Sequence, residues 1–249
     1  MQTAIVIPCY NEAKRFKQQA FSRFLEKNSH ICLCFVNDGS SDGTLQILSA
    51  VNHSYPEKTF VLDLPMNKGK AEAVRAGVCH ILAKNKFSFV GFWDADLATP
   101  LEEIHNFVGI LLQQNAPRFV LGTRIKRLGA NIDRVGYRHY LSRVFATFTS
   151  LTLNMPVYDT QCGAKIFAID VAEEIFSQSF FSKWFFDIEL IFRAKPISKN
   201  KHFFYEHPLS QWTHQGESKL TFKDFLFAPI ELLRLFWHYR VKKYDKNTN

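Results

Sequence analysis

The sequence predicts an α/β fold in which a mostly parallel central sheet is flanked by helices, and three observations predict it. Short apolar runs of strand length recur through the N-terminal half, each ends in a cluster of Gly, Asn, Asp or Lys, and each cluster opens a stretch with apolar residues three and four apart. Strands alternating with single helices imply right-handed crossovers. These make neighbouring strands parallel and gather their carboxyl ends at one edge, where ligands bind.

The first strand is residues 3–7, ended by Pro8 and followed by Cys9-Tyr10-Asn11-Glu12 and a helical face with Phe16, Ala20 and Phe24. The second, residues 31–36, passes through Asn37-Asp38-Gly39-Ser40-Ser41-Asp42-Gly43-Thr44 into a helix bearing Leu45, Leu48 and Val51. Phe60-Val61-Leu62 is the third, and Asn67-Lys68-Gly69-Lys70 leads it into Val74, Val78, Ile81 and Leu82. The fourth, residues 87–93, surfaces at Asp94-Ala95-Asp96. The helix after it is expected to use Thr99 as cap, Pro100 in its first turn and Glu102 as capping-box acid, with Ile104, Val108, Leu111 and Leu112 on its apolar face. Phe119-Val120-Leu121 is the fifth strand, and Gly122-Thr123-Arg124 follows it. Glycines let such loops turn tightly and approach a ligand, and free N–H groups at helix N-termini suit anions.

A chain of 249 residues, 47% apolar and 22% charged, has the composition of a folded globular protein rather than a low-complexity one. The net charge of +8 points to an anionic partner: nucleic acid, a phosphorylated small molecule or an anionic membrane face. Five cysteines, an odd number set mostly in apolar runs, read as reduced thiols of a cytoplasmic compartment. Cys32-x-Cys34 lacks the spacing and second pair of a zinc site. No run approaches the roughly 20 apolar residues of a membrane span, and no basic-then-apolar leader opens the sequence.

Asp94 and Asp96 are two apart, so on an extended backbone both carboxylates face the same way. Such a pair repels itself unless a hard divalent cation, Mg²⁺ or Mn²⁺, sits between them and leaves sites for phosphate oxygens. Read alone, the pair also serves as a helix cap. Asp38 is likewise a turn former, Lys68 a solvated loop charge and Arg124 a surface ion-pair partner when taken singly. Because each follows a strand, all of them are expected to converge on one crevice with the aspartate pair.

These blocks resemble the family 2 glycosyltransferases with a GT-A fold: Ile5-Val6-Ile7-Pro8-Cys9-Tyr10-Asn11-Glu12, the 37–44 block, Asn67-Lys68-Gly69-Lys70 and Asp94-Ala95-Asp96. A further block, Asp159-Thr160-Gln161-Cys162-Gly163-Ala164-Lys165-Ile166-Phe167, is similar to the polyprenyl- or dolichyl-phosphate sugar transferases of that family, the glucosyl branch especially. The resemblance continues through Trp184-Phe185-Phe186-Asp187-Ile188-Glu189 and Trp212-x-His214-x-x-Gly216-x-Ser218-Lys219. It implies that Pro8, Tyr10, Glu12, Asp38, Lys68, Gly69 and Ala95 bind the nucleotide-sugar with Asp94 and Asp96, which hold Mg²⁺ or Mn²⁺. Arg124, Gln161, Lys165 and Lys219 are implied phosphate or acceptor partners, and His214 a further metal ligand. The implied donor is UDP-glucose, with GDP-mannose also possible, and the implied reaction inverts the sugar carbon. Ala98 stands where mannosyl members commonly carry a glutamine.

The acceptor decides whether a base is needed, because a hydroxyl must lose a proton whereas a phosphate is already ionised. Asp187 is therefore a general base, an acceptor-orienting group or a brace for Lys165, and as a residue of a helix start it also has a purely structural reading. The implied acceptor is a polyprenyl phosphate. The alternatives are a saccharide or other hydroxyl acceptor with Asp187 as base, and a nucleotide-sugar-binding protein without turnover. The latter has no need to keep both aspartates.

Between Arg124 and Asp159 lie Lys126, Arg127, Arg134, Arg138, His139 and Arg143 among Tyr137, Tyr140, Phe145 and Phe148. The pattern also suits single-stranded nucleic acid, but no RNA-binding motif accompanies it and no nucleic-acid partner is expected. The resemblance makes it an acceptor loop and a helix that meets the membrane. Residues 1–220 are expected to form the catalytic domain, and residues 221–249 an amphipathic basic helix and tail; from residue 219 to 249 seven Lys or Arg stand against three acids. That helix either lies in a headgroup layer or packs its apolar side on the domain. The expected place is the cytoplasmic face of a membrane, held peripherally.

Overall fold

The computed structural model describes residues 1–133, 136–198, 200–213 and 230–241. The chain runs β1 (Thr3–Cys9), α1 (Gln18–Lys27), β2 (Ile31–Asp38), α2 (Thr44–Ser54), β3 (Thr59–Leu64), α3 (Lys70–Leu82), β4 (Phe89–Trp93), α4 (Glu103–Leu111) and β5 (Phe119–Thr123). It continues through β6 (Asn131–Ile132), α5 (Gly136–Leu153), β7 (Ala164–Ala168), α6 (Ile169–Ile175), α7 (Phe186–Ala194), β8 (Phe204–Pro208) and β9 (Gln211–Trp212). Residues 230–236 are helical and end in a π-helical turn at Trp237–Val241.

Seven strands form one sheet in the order β3-β2-β1-β4-β7-β5-β8, with β7 antiparallel to β4 and β5 and the other pairings parallel. This is the predicted α/β class, with one antiparallel strand that the alternation of apolar and polar segments does not announce. The chain winds outward from β1 through β2 to β3 and then crosses back to β4 on the other side of β1. A crevice therefore opens between the carboxyl ends of β1 and β4, where the strand order reverses. The small parallel pair β6 and β9 stands apart from the large sheet.

Strands β2, β4, β5 and β7 are buried along their whole length, as expected of central strands covered on both faces. Phe92, Phe119, Phe167, Phe176 and Phe186 fill the core beneath β4 and β7, and the rings of Phe119 and Phe167 meet edge-on at 4.5 Å. The structure moves the start of α4. The helix begins at Glu103, with no side-chain cap from Thr99 or Glu102, because the Thr99 carbonyl accepts from the Trp93 indole and Glu103 turns inward to His207 and Ser210. Leu112, expected on the apolar face, is 52% exposed.

The described part of the C-terminal stretch packs on the domain. Leu232 and Leu235 are buried, Tyr239 stacks on Phe192, and its hydroxyl donates to Glu189 at 2.5 Å. The opposite face of the same helix leaves Ile230, Leu233 and Trp237 exposed. The 221–229 part of the predicted helix, with its cap at Thr221 and Asp224, lies outside the described residues.

Candidate active site

The loops after β1, β2, β3 and β4 meet at the reversal of strand order. Asp38 ends β2, and its carboxylate accepts the backbone N–H groups of Lys68 at 2.8 Å and Gly69 at 2.9 Å. Residue 39 must be glycine, since φ is +62° and a Cβ there would lie 2.4 Å from the Asn67 nitrogen. Asp38 and the Asn67-Lys68-Gly69 loop thus meet as predicted, but through the backbone of Lys68 rather than its ammonium. The β1 loop interlocks with the β2 loop: Asn11 N–H donates to Ser40 Oγ, Ser41 N–H to Asn11 Oδ1, and Glu12 N–H to Thr44 Oγ1. Glu12 is buried and forks onto Arg15. Tyr10, Asn11, Lys14, Arg15, Ser41 and Asp42 line an open groove beside these loops. Pro8 is the β1 residue in register with Val36, two positions before the groove residue Tyr10.

Asp94 stands at the end of β4 against the backbone of Gly163, whose carbonyl accepts the Asp94 N–H at 3.1 Å. A Cβ on residue 163 would come within 1.8 Å of Asp94 Oδ2, so glycine there makes the cradle that holds the carboxylate. Asp96 accepts the Ala98 N–H, Ala95 is buried between the two aspartates, and Leu97 has a φ of +57°, a strained value for a bulky side chain. Burial, and next the charge of Asp94, raise the Asp96 carboxyl above its ordinary range. Lys70, the first residue of α3, places its Nζ 2.5 Å from Asp94 Oδ1. Desolvation alone would lower this ammonium, but Asp94, Asp187 and Asp96 outweigh it and raise it.

Lys165 is fully buried in β7. Its three ammonium hydrogens go to the carbonyls of Thr160 at 3.0 Å and Cys162 at 2.7 Å and to Asp187 Oδ1 at 2.5 Å. It therefore braces Asp187 instead of standing at a surface that a phosphate can reach. Asp187 lies in the first turn of α7 and pairs with Lys165 there. Arg124 is committed in a similar way: its Nε and Nη2 donate to Asp159 at 2.7 and 2.8 Å, its backbone N–H goes to the same carboxylate, and its guanidinium lies 5.3 Å from the Trp212 ring centre. Desolvation opposes the charge of Arg124, and Asp159 overrides it and raises the guanidinium. Gln161 N–H also donates to Asp159, whereas Gln161 Nε2 is buried with no partner among the described residues. Cys162 sits beneath this cluster as an inert thiol, pushed up to about 11 by burial.

Sequence reasoning left three contributors unassigned. Lys70 stood in a quoted block without a role, Asp159 is 35 residues from the arginine it holds, and Glu103 is more than a hundred residues from His207 and Ser210. Only a motif block marked the first two. His214 and Lys219 lie outside the described residues. Among the described residues, no group of three or more His, Cys, Asp or Glu side chains forms a self-sufficient metal site.

Residues 4–176 match the model of a family described as Glycosyl transferase family 2. The chain belongs to that family. It is 28% identical to dolichyl-phosphate beta-glucosyltransferase ALG5C of Trichomonas vaginalis across 96% of this chain and 72% of that protein. Dolichyl-phosphate beta-glucosyltransferase of Drosophila melanogaster is 29% identical across 97% of this chain and 76% of that one. The human protein of the same name is 28% identical across 95% and 77%. The fold is also that of glucosyl-3-phosphoglycerate synthase from Mycobacterium tuberculosis, solved with Mn²⁺, uridine diphosphate and phosphoglyceric acid. That structure superposes with a TM-score of 0.68 at 17% identity, covering 96% of this chain and 78% of that one. As a family 2 glycosyltransferase of GT-A fold, the protein is an enzyme. This argues against the reading as a binding protein without turnover.

Proposed function

We propose that this glycosyltransferase moves glucose from UDP-glucose to a dolichyl-type polyprenyl phosphate, with inversion at the sugar carbon. The observation that carries the acceptor is the buried pair of Lys165 and Asp187. The carboxylate in the half of the domain where a hydroxyl-activating base would stand is already neutralised by an ammonium with all its hydrogens engaged. A phosphate nucleophile arrives ionised and has no need of that base. The relatives named above, similar along nearly the whole chain, act on dolichyl phosphate by name, and their beta product fits inversion of an α-linked donor.

Asp94 and Asp96 would hold a divalent cation, Mn²⁺ or Mg²⁺. The donor set fits: two carboxylates, one half-exposed and seated in the Gly163 cradle, leave room for diphosphate oxygens and water. Bound there, the cation offsets the charge that develops on the departing nucleoside diphosphate. The groove beside Tyr10 and Asp42 would take the nucleoside, with Asp38 setting the Lys68 and Gly69 backbone along its side. Arg124, held by Asp159 beside the Trp212 ring, would face the acceptor's phosphate with the part of its guanidinium that Asp159 does not take.

The acceptor's lipid requires a membrane surface. Val144, Phe148 and Leu151 are exposed along α5, and Trp184, Leu233 and Trp237 are exposed elsewhere, with Arg234 beside the last two. Aromatic and aliphatic side chains beside a basic one suit a headgroup layer. The proposed contact is peripheral and on the cytoplasmic face. Among the described residues no helix is long and apolar enough to cross a membrane. The test is transfer of labelled glucose from UDP-glucose, with Mn²⁺, into a product that extracts into organic solvent and is labile to mild acid. Transfer only to soluble hydroxyl acceptors, lost in Asp187→Asn, would instead favour Asp187 as base.

A further inference from the structure

Two lysines reach the aspartates of the site, and they are held in opposite ways. Lys165 has no exposed side-chain surface and three fixed partners, whereas the Lys70 side chain is 38% exposed and among the described residues is hydrogen-bonded to Asp94 alone. The rings of Phe92 and Phe186 lie 5.9 Å from its Nζ, so they form a floor beneath the ammonium without fixing its direction. Its backbone is fixed as the first residue of α3, while its four-carbon stem has the rotatable bonds that let the ammonium reach another partner. The oxygen it holds, Asp94 Oδ1, is one that a cation bound between Asp94 and Asp96 would need.

We propose that Lys70 and the divalent cation exchange on Asp94, the displaced ammonium passing to the nucleoside diphosphate, so that cation and nucleotide bind cooperatively through this side chain. The inference rests on the reading of Asp94 and Asp96 as the cation's ligands. A divalent cation and an ammonium on the same carboxylate oxygen repel each other at contact distance, which favours departure of the ammonium once the cation is bound. The nearest alternative anion, Asp187, is already neutralised by Lys165. The diphosphate that arrives with the cation is the anion with charge to spare, and a mobile ammonium at a helix start suits it. By linkage, the nucleotide that draws Lys70 away must tighten cation binding, and the cation must tighten nucleotide binding by the same factor.

The experiment measures Mn²⁺ affinity by electron paramagnetic resonance on the full chain, with and without saturating UDP, for the parent, Lys70→Met and Lys70→Arg. Without nucleotide, Lys70→Met should bind Mn²⁺ about two- to fivefold more tightly than the parent, the scale of a part-exposed ion pair. The factor by which UDP tightens Mn²⁺ binding should shrink correspondingly. Lys70→Arg, which keeps the charge, should stay near the parent on both counts, and thermal melts check that each variant is folded. Equal Mn²⁺ affinity and an equal UDP effect in parent and Lys70→Met would overturn the exchange while leaving the cation assignment standing. Absence of Mn²⁺ binding in every protein, with UDP present, would overturn both.

Discussion

The Lys165 ammonium lies 2.5 Å from Asp187 Oδ1 with both side chains buried, joining β7 of the sheet to the start of α7. Removing one partner of a buried pair strands the other charge away from water, which costs about 3–5 kcal/mol. Lys165→Met alone is therefore expected to lose that much stability in urea unfolding. Lys165→Met with Asp187→Leu should lose clearly less, because no lone charge remains. A double variant as unstable as the sum of the two single ones would show that the pair is not coupled.

Gly163 is the backbone against which Asp94 rests, and a methyl group there would overlap its carboxylate. Gly163→Ala should leave the fold intact, since residue 163 has no positive φ to require glycine, but should push Asp94 off its seat. Mn²⁺-dependent turnover is expected to fall at least about tenfold, equivalent to 1.4 kcal/mol of lost transition-state stabilisation, with melting temperature changed by only a few degrees. Full activity in this variant would remove the cradle from the account of the site.

The strands β1 to β5 and the helices α1 to α3 were legible because each is written locally: an apolar run, a polar loop, then a three-and-four spacing. What escaped was decided by distant partners. Strand β7 slots between β4 and β5 although it follows β5 by forty residues, and its buried Lys165 breaks the apolar run that would have marked it. Glu103 rather than Glu102 became the structural acid of α4 because His207 and Ser210, on the β8 side, take its carboxylate. In the site, the meeting of the loops that carry Asp38, Lys68, Lys70 and Asp94 was legible because each follows a strand of one parallel sheet. The commitments of Arg124 to Asp159 and of Lys165 to Asp187 depend on which loops face each other, which spacing does not encode.

Glu103 offers a test by pH. Burial would raise its carboxyl, but hydrogen bonds from His207, Ser210 and Asn106 outweigh it and bring it down to about 2 from an ordinary 4.5. A carboxyl lowered in the folded state contributes stability above its ordinary value and loses it as pH falls toward the folded one. Stability should therefore decline between about pH 4.5 and pH 2, with this group responsible for roughly 3 kcal/mol of the loss. Glu103→Gln should be less stable than the parent at neutral pH and should show a shallower acid limb. Parallel acid limbs in the two proteins would contradict the assignment.

Tyr239 fastens the C-terminal helix to the domain. Its hydroxyl donates to the fully buried Glu189, which also accepts from Phe181 N–H, Ser182 N–H and Arg193, and it receives the Arg193 Nε–H at 3.1 Å. Tyr239→Phe keeps the stacking on Phe192 and removes both bonds, so it should cost about 1–3 kcal/mol in chemical denaturation. Hydrogen exchange should show earlier opening of residues 230–241 than of the central strands. Unchanged exchange in this helix would mean that Leu232 and Leu235 hold it without the tyrosine.

Asp96 separates what the site needs for folding from what it needs for turnover. Its Oδ1 accepts the Ala98 N–H, a bond that asparagine can keep, while its negative charge stands beside that of Asp94 in a partly buried loop. Like charges at this spacing oppose the folded state unless a cation lies between them. Asp96→Asn should therefore melt no lower than the parent when measured without metal, and the thermal shift that Mn²⁺ with UDP gives the parent should vanish. Glucosyl transfer should drop at least about a hundredfold, about 2.7 kcal/mol, in line with the loss of a group that acts on the departing diphosphate. If the variant instead melts well below the parent yet keeps its Mn²⁺ response, the carboxylate is a structural cap of the loop, and the cation must be held elsewhere.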